Sequence, residues 1–231
     1  MKPVILFILF SITCTVYSQK TADEVIAKVI AAQGGYEKLK AIQTMKLLGT
    51  LEIQGQKIPY NTYQIHDKVS KSELTFNGLQ QYQIIYRDSG FVFSAFQGMT
   101  APERMTPEDI KQGQDGLDLQ GVLVDYAKKG HSVELLEPED VDGVDAIQVK
   151  VNLNTGKTQF YFIDPDNYYP IRIKTKGISN GQEYTNVTDY YNFKATSNGI
   201  ILPHTIGNLS FDNIEINVPI DQKIFEIKRS K

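Results

Sequence analysis

Hydrophobic residues recur with two different periods along the chain, and the first period is helical. Thr21 and Glu24 fit a capping box, in which each side chain bonds the backbone N–H of the other residue. Apolar residues then follow at helical spacing: Val25, Ile26, Val29 and Ile30. The pair Gly34-Gly35 provides a left-handed helix end. The pattern predicts a helix over 21–33 that packs through these four residues, and a second short helix over 36–42.

From Met45 onward the hydrophobic period changes to two, which is the alternation of a half-buried strand. Short turn motifs such as Asn77-Gly78 and Asn180-Gly181 separate the alternating runs, and turns this short join antiparallel neighbours. We predict strands at 44–54, 58–67, 69–76, 80–87, 90–97, 131–137, 144–153, 158–164, 169–176, 182–193, 199–206 and 209–217. A single sheet of about a dozen strands must curl or split. The predicted fold class is therefore mainly β with helices (α+β), a curved antiparallel sheet forming an incomplete β-barrel.

The alternation stops between Gly98 and Gly130. Thr106 and Pro107 fit an N-cap and a first helical position, and two acidic residues follow them. Apolar residues further along fall mainly on one side of a helix: Leu117, Leu119, Val122, Leu123 and Tyr126. This pattern predicts a helical insertion that lies across the concave face of the sheet as a lid.

The first 18 residues have the order of a secretory signal peptide. A cation at Lys2 precedes a short apolar stretch over 4–14, and small or polar residues lead to Ser18. Cleavage after Ser18 would leave residues 19–231, which we expect to form one domain in the periplasm. The alternative is a lipid anchor on Cys14, but the three residues before it form a poor recognition sequence. We therefore expect no anchor.

Composition narrows the classes of function. The formal net charge is −3 and the basic residues are scattered, which argues against a nucleic-acid-binding surface. The only cysteine, Cys14, would be lost with the signal peptide, and the three histidines lie in separate segments without metal-ligand spacing. We expect no metal and no cofactor.

Two local motifs point to chemistry but have simpler structural explanations. Residues 177–181 fit the serine-hydrolase pattern around Ser179, yet Asn180-Gly181 between two alternating runs favours a hairpin. Asp140, Asp142 and Asp145 suggest a calcium loop, but the EF-hand spacing is not met and an acidic turn fits better. We predict that the protein is not an enzyme, and catalytic carboxylates on the strands are the remaining alternative.

The order of elements resembles that of the bacterial LolA/LolB-like family of outer-membrane lipoprotein-sorting proteins. The similar segments are ADEVIAKVIAAQGGYEKLKAIQTMKLLGTL, LQGVLVDYAKKGHSVELLEPEDVDGVDAIQVKV, FYFIDPDNYYPIRIKTK and the stretch over 198–203. They correspond to a helix joined to the first strand, a lid before a hairpin, and an Asp-Pro turn before a basic strand. The resemblance implies an incomplete barrel whose apolar inside, partly closed by helices, shields the acyl chains of lipoproteins or other lipids.

The strongest functional feature of the sequence is an apolar run. Phe91 and Phe93 share one face of a strand, Phe96 points to the other face, and two methionines lead into the insertion. Methionine is an adaptable side chain at apolar binding surfaces. Ordinary core packing is the alternative for such residues. We predict an apolar cavity or lid site lined by Tyr82, Ile84, Tyr86, Phe91, Phe93, Met99, Met105, Leu119 and Leu123.

These inferences predict a periplasmic, monomeric carrier or sorting protein that binds lipid or lipoprotein acyl chains in an apolar cavity. Its further partners would be membrane-associated proteins, and nucleic acid is excluded. The alternative from another class is a periplasmic interaction or sensor domain on the same fold that binds a protein partner.

Overall fold

A computed structural model describes residues 21–227 of the chain. The predicted signal peptide over 1–18 and the alternative anchor at Cys14 lie outside the described residues. Helix α1 spans Ala22–Ala32 and helix α2 spans Tyr36–Lys40. The Thr21 side chain accepts a hydrogen bond from the Glu24 N–H, and the Glu24 carboxylate accepts one from the Thr21 N–H. Both predicted helices and the capping box are confirmed.

The described residues form one antiparallel sheet of 13 strands. The strands are β1 Thr44–Ile53, β2 Gln56–Ile65, β3 Val69–Phe76, β4 Leu79–Tyr86, β5 Gly90–Ser94, β6 Glu103–Arg104, β7 Ser132–Val141, β8 Val144–Asn152, β9 Thr158–Ile163, β10 Pro170–Ser179, β11 Gln182–Ala195, β12 Ile201–Ile206 and β13 Leu209–Ile216. Their spatial order is β6-β5-β4-β3-β2-β1-β13-β12-β11-β10-β9-β8-β7, so β6 and β7 are free edges. The predicted unclosed antiparallel sheet is confirmed, and only the two-residue β6 was not predicted.

One face of the sheet, which we call the inner face, carries α1. Val25 and Val29 of α1 are fully buried, Ile26 is nearly so, and the partly buried Ile30 packs against the same cluster. Their partners come mainly from β8 and β9 and are Val149, Val151, Leu153, Tyr161 and Ile163. The predicted packing of the first helix through its four apolar residues is confirmed.

A second apolar cluster lies on the inner face where β1 pairs with β13. It is built from residues of α2 and the link to β1, of β1 and β13, of the insertion and of the turn before β12. They are Leu39, Ile42, Met45, Leu119, Val124, Ile200, Phe211, Ile214 and Ile216. Apolar side chains at alternate strand positions therefore fill this part of the inner face. None of the described helices is long and apolar enough to cross a membrane.

The insertion is helical only in its first half. Helix α3 spans Pro107–Gly113 with Thr106 as its N-cap, and a 3₁₀ turn follows over Gln114–Leu117. Residues 118–130 form successive turns and not the predicted helix. Gly121 and Asp125 have φ angles of 87° and 53°, and left-handed backbone at both positions interrupts a right-handed helix.

Helix α3 lies over the inner face and contacts two distant parts of the sheet. Both contacts come from the C-terminal end of the helix. Gly113 packs against Ile85 of β4. The neighbouring Gln112 amide donates to the Ile178 carbonyl oxygen at 3.0 Å, and its oxygen accepts from the Tyr184 hydroxyl at 2.8 Å. The end of α3 therefore bridges β4 and the β10–β11 hairpin across the inner face, as predicted for a lid.

Residues 218–227, which we call the C-terminal strap, cross the opposite, outer face. The Thr44 hydroxyl donates to the Val218 carbonyl at 2.7 Å, and the Tyr86 hydroxyl donates to the Phe225 carbonyl at 2.8 Å. Phe225 is only 4% exposed, and it packs with Val69 and Ile84 of the outer face. The outer face of β3 and β4 is thereby partly covered by residues far away in sequence.

A charged cluster at Asp125 connects residues 118–130, which we call the turn segment, to α2. The Asp125 carboxylate accepts hydrogen bonds from the ammonium groups of Lys40 and Lys128, each at 2.9 Å, and from the Tyr36 hydroxyl at 3.0 Å. These contacts hold the pKa of Asp125 well below its usual 3.8, with the Lys40 hydrogen bond as the largest cause. The ionised carboxylate is thus favoured in the folded chain.

We expect Asp125→Asn to lower the melting temperature at neutral pH, because the neutral amide loses both ion pairs. A carboxyl group whose pKa is depressed by folding stabilises the fold above its unfolded pKa, and this contribution is lost as the pH falls through the folded value. The difference between the two proteins should therefore shrink once the pH drops below 3.8. Thermal melts followed by circular dichroism across that range measure it.

The matched control is Asp145→Asn, an exposed carboxylate of β8 that forms no ion pair with any residue of the described range 21–227. Its melting temperature should follow the parent protein at every pH. A melting difference for Asp125→Asn that persists unchanged in acid would contradict the ionic origin of the effect.

Candidate functional site

The outer face of β3, β4 and β5 carries a groove with an aromatic floor. Its volume is about 800 Å³, within the range of small-molecule sites. Tyr82, Ile84 and Phe93 form the sheet side, because they alternate on β4 and β5 and face the same way. The rings of Tyr82 and Phe93 lie 5.3 Å apart at an interplanar angle of 30°. We call this site the aromatic groove.

The C-terminal strap and a loop form the other walls of the aromatic groove. Ile224 of the strap is its apolar wall, and Thr100 and Pro102 contribute from the loop before β6. Asp221, Lys223 and Glu226 of the strap line it as well. The groove therefore has apolar surface at its floor and charged groups of both signs on the strap.

Basic side chains lie over two of the aromatic rings of the outer face. The Lys71 ammonium is 5.4 Å from the Tyr82 ring centre and pairs with Glu73 at 2.7 Å. The Arg104 guanidinium is 5.6 Å from the Phe91 ring centre. Burial raises the pKa of the Tyr82 hydroxyl, so this group stays neutral at physiological pH. The aromatic rings of the floor therefore carry no charge, and the charge next to them is that of the Lys71 ammonium, which also lines the groove.

The inner face of β2 to β5 offers a smaller and more polar space. A cleft of about 240 Å³ is lined by Tyr60, Leu74 and Val92 together with amide and hydroxyl groups. Gln81 and Gln83 supply the amides from β4, and Ser72 supplies a hydroxyl from β3. This inner cleft is thus less suited to hydrocarbon than the groove on the outer face.

The structure divides the nine predicted site residues between the two faces of the sheet. Tyr82, Ile84, Tyr86, Phe91 and Phe93 share the outer face, because strand register places them as cross-strand neighbours or alternate residues. Ile85 and Gly90, which α3 covers, point the other way. These five residues therefore lie on the face that α3 does not cover, and their role in ligand binding stays a prediction.

The four predicted residues from the loop and the insertion have structural contacts of their own. The Met99 sulfur accepts a hydrogen bond from the Ser94 N–H at 3.2 Å, and Met105 packs against Gly90. Leu119 and Leu123 are 9% and 7% exposed and belong to the two inner clusters. The structure brings none of these four to the aromatic groove, whereas Tyr82, Ile84 and Phe93 do line it.

Two further features of the site were missed in the sequence. Ile220, Ile224 and Ile227 of the strap are spaced four and three residues apart, which is a short amphipathic pattern that marks burial. The second feature is Lys157 in the hairpin between β8 and β9, whose side chain is buried and whose ammonium donates to the carbonyl oxygen of Gln112 at the end of α3. Nothing local in the sequence identifies the contact between Lys157 and Gln112.

The motifs with simpler explanations have the expected structures. Ser179 lies at the end of β10 in a hairpin with β11, and Asp142 lies in the tight turn between β7 and β8. Among residues 21–227 no group of three or more histidine, aspartate or glutamate side chains has an arrangement that could hold a metal ion.

No protein-family model and no curated protein sequence matches the chain. Solved structures do match it. A DUF1329 family protein from Desulfovibrio piger ATCC 29098 is 14% identical, with 87% of this chain and 95% of that chain covered and a TM-score of 0.55. The LolA superfamily protein NE2245 from Nitrosomonas europaea is 14% identical, with 90% and 98% covered and a TM-score of 0.53. At this identity the likeness shows the fold, which is LolA-like, as the sequence resemblance predicted.

Proposed function

We propose that this chain, whose fold is LolA-like, is a periplasmic, non-enzymatic protein that binds the acyl chain of a lipid or lipoprotein in the aromatic groove. The observation that carries the proposal is the groove itself, with a volume of about 800 Å³ and a floor of Tyr82, Ile84 and Phe93. Tyr82 and Phe93 are half-buried and Ile84 is 1% exposed. A concave site with aromatic and aliphatic side chains and a few polar groups in its lining is typical of a ligand-binding pocket.

The driving force would be removal of hydrocarbon from water. Burying a methylene group contributes about 0.8 kcal/mol, which corresponds to about a fourfold gain in affinity per methylene. A long saturated chain would therefore bind without any specific polar contact, and affinity should rise steadily with chain length until the groove is full. The charged strap residues would then face the polar end of the ligand.

Replacing Phe93 by aspartate should abolish binding of a fluorescent acyl probe, because a carboxylate in the groove would have to lose its water when the chain binds. Titration of the probe by fluorescence, with a parallel thermal melt, measures the effect. Phe93 is half-buried, so we expect the variant to remain folded.

The matched control is Val92→Asp, the neighbouring half-buried residue whose side chain lines the inner cleft. It should leave probe affinity unchanged. Loss of binding in Val92→Asp with full binding in Phe93→Asp would place the ligand in the inner cleft and refute the groove. A Phe93→Asp variant that is folded and still binds the probe would refute it as well.

A carrier and a protein-binding domain differ in what they retain on purification. Native mass spectrometry of the protein isolated from its own cells, without refolding, should give the mass of the chain plus that of an acylated molecule. A stoichiometric protein in place of a lipid would favour the interaction or sensor domain instead.

A further inference from the structure

A second cavity, separate from the aromatic groove, opens where α2, the turn segment and the hairpin between β8 and β9 meet. Its volume is about 540 Å³ and its lining is rich in charged and polar side chains. We call it the polar cavity. His66 and Arg87 line it from the strand turns on one side, and His131 and Thr155 line it from the other.

The acidic side chains of the polar cavity already have cationic partners. Asp118 bonds the Lys129 ammonium, Asp115 bonds that of Lys157, and Asp125 bonds those of Lys40 and Lys128. Asp67 has only loose partners, because its contacts with the Arg87 guanidinium and with the Nε2 atom of His66 are 3.5 Å and 3.9 Å long. Paired carboxylates leave little capacity to bind a cation.

The side chains of the polar cavity that can still bond a ligand are hydrogen-bond donors. The Nδ1 atom of His66 accepts a hydrogen bond from the Leu119 N–H, and Nδ1 of His131 accepts one from the Asn154 N–H, both at 3.2 Å. An imidazole that accepts at Nδ1 carries its proton on Nε2, so both rings have a donor to offer. Burial lowers the pKa of His131, with Lys129 as a second cause, which favours this neutral form.

Thr155 adds a hydroxyl that is buried and without a hydrogen-bond partner among the described residues. A buried hydroxyl of this kind is costly, and most such groups in folded proteins are satisfied. Arg87 adds a guanidinium group, which prefers oxyanions with several acceptor oxygens. The donors with capacity left thus come from four different segments of the chain: His131 and Thr155, and also Arg87 and His66, whose contacts with Asp67 are loose.

We propose that the polar cavity binds a phosphate monoester group, which the side chains of Arg87, His66, His131 and Thr155 would donate to. A phosphate group suits it better than a carboxylate, because its three terminal oxygens accept hydrogen bonds from several directions. The same chemistry occurs in a small phosphorylated metabolite and in a lipid headgroup. This proposal does not depend on acyl binding in the aromatic groove.

Isothermal titration with glycerol 3-phosphate and with a soluble short-chain phosphatidic acid tests it. Binding of glycerol 3-phosphate would support the proposal, and binding of the phosphatidic acid would support it if substitutions in the polar cavity weaken that binding. Comparable affinity for both would assign recognition to the phosphate group, whereas binding of the phosphatidic acid alone would assign the site to a lipid headgroup. If neither ligand binds, the proposal is wrong.

Variants locate the bound phosphate in the polar cavity. Arg87→Gln removes an exposed cation, and His131→Asn removes the Nε2 donor while its side-chain oxygen can still accept from the Asn154 N–H. Each should weaken binding about tenfold, which is the value of one hydrogen bond to a charged group. Neither should change the affinity of the acyl probe for the aromatic groove.

The control is Arg104→Gln, which removes an exposed arginine of β6 that lies over the Phe91 ring and not at the polar cavity. It should bind phosphate like the parent protein. Equal weakening by Arg104→Gln and Arg87→Gln would mean a diffuse effect of net charge and would overturn the site, as would full binding in folded Arg87→Gln and His131→Asn.

Discussion

Replacing Gly49 by alanine is expected to lower the free energy of unfolding by about 3 kcal/mol, near the upper end of the usual cost of overpacking. A Cβ atom at this position would lie 2.1 Å from the Ser210 carbonyl oxygen and 2.9 Å from the Phe211 Cα. Both are backbone atoms of β13 and cannot swing aside like a side chain. The register between β1 and β13 also shifts at Leu48/Gly49, so the contact lies at an irregular point of the ladder.

Because of the position of Gly49, the loss of stability should affect the whole sheet. The β1–β13 pair joins the two halves of the sheet, one running from β1 to β6 and the other from β13 to β7. For a domain of this size a change of about 3 kcal/mol corresponds to a drop of about 6 to 12 °C in melting temperature. Urea unfolding at equilibrium and a thermal melt both measure it.

Gly116→Ala is the matched control, because a Cβ at Gly116 would meet nothing within 4 Å and its φ is not in the left-handed region. Its stability should stay within a few tenths of a kcal/mol of the parent value or rise slightly through a less flexible unfolded chain. If Gly49→Ala were as stable as Gly116→Ala, this result would contradict a close approach of the β1 and β13 backbones at Gly49.

Local patterns were sufficient to predict the helices at the start and nearly all of the strands. The capping box at Thr21 and the alternation from Met45 reflect interactions between residues close in sequence, which the chain carries in its own spacing. Strand β6 was missed because two residues are too few to show an alternation. The turn segment over 118–130 was mistaken for a helix because Leu119 and Leu123 are buried at helical spacing in a non-helical backbone.

The candidate site could be predicted only in part, because alternation assigns residues to two faces without saying which face is inner. Phe91 and Phe93 do share a face, as predicted, but α3 covers the opposite one. The strap that completes the aromatic groove comes from residues more than a hundred positions away, at Ile224 and Phe225. Such contacts depend on the tertiary fold and leave little trace in local sequence.

Replacing Lys157 by methionine is expected to lower the free energy of unfolding by about 2 to 3 kcal/mol, because it leaves a partly buried carboxylate without its partner. The Lys157 side chain is 8% exposed and that of Asp115 is 21% exposed, so the cost should lie at or just below the range for fully buried pairs. The ammonium donates to the Gln112 carbonyl at 2.7 Å and to Asp115 at 2.8 Å. It therefore joins the end of α3 to the hairpin between β8 and β9.

Lys150→Met is the control, since the Lys150–Glu134 pair is a similar ion pair with side chains 32% and 56% exposed. Exposed pairs of this kind contribute about 0.2 to 1 kcal/mol. A double-mutant cycle of Lys157→Met with Asp115→Asn isolates the coupling between the two groups, because the double variant buries no unpaired charge. If the double variant is no more stable than Lys157→Met, the pair is not the cause of the loss.

Because Lys157 holds α3, its loss should also loosen the lid before the sheet unfolds. Lys111 lies exposed within α3, so trypsin cleavage at that residue reports local opening of the helix. We expect faster cleavage there in Lys157→Met than in Lys150→Met under conditions where both proteins are folded. Acyl-probe affinity should be the same in both variants, because the aromatic groove lies on the face that α3 does not cover. A parallel loss of probe binding would connect the lid to the ligand and favour the inner cleft as the acyl site.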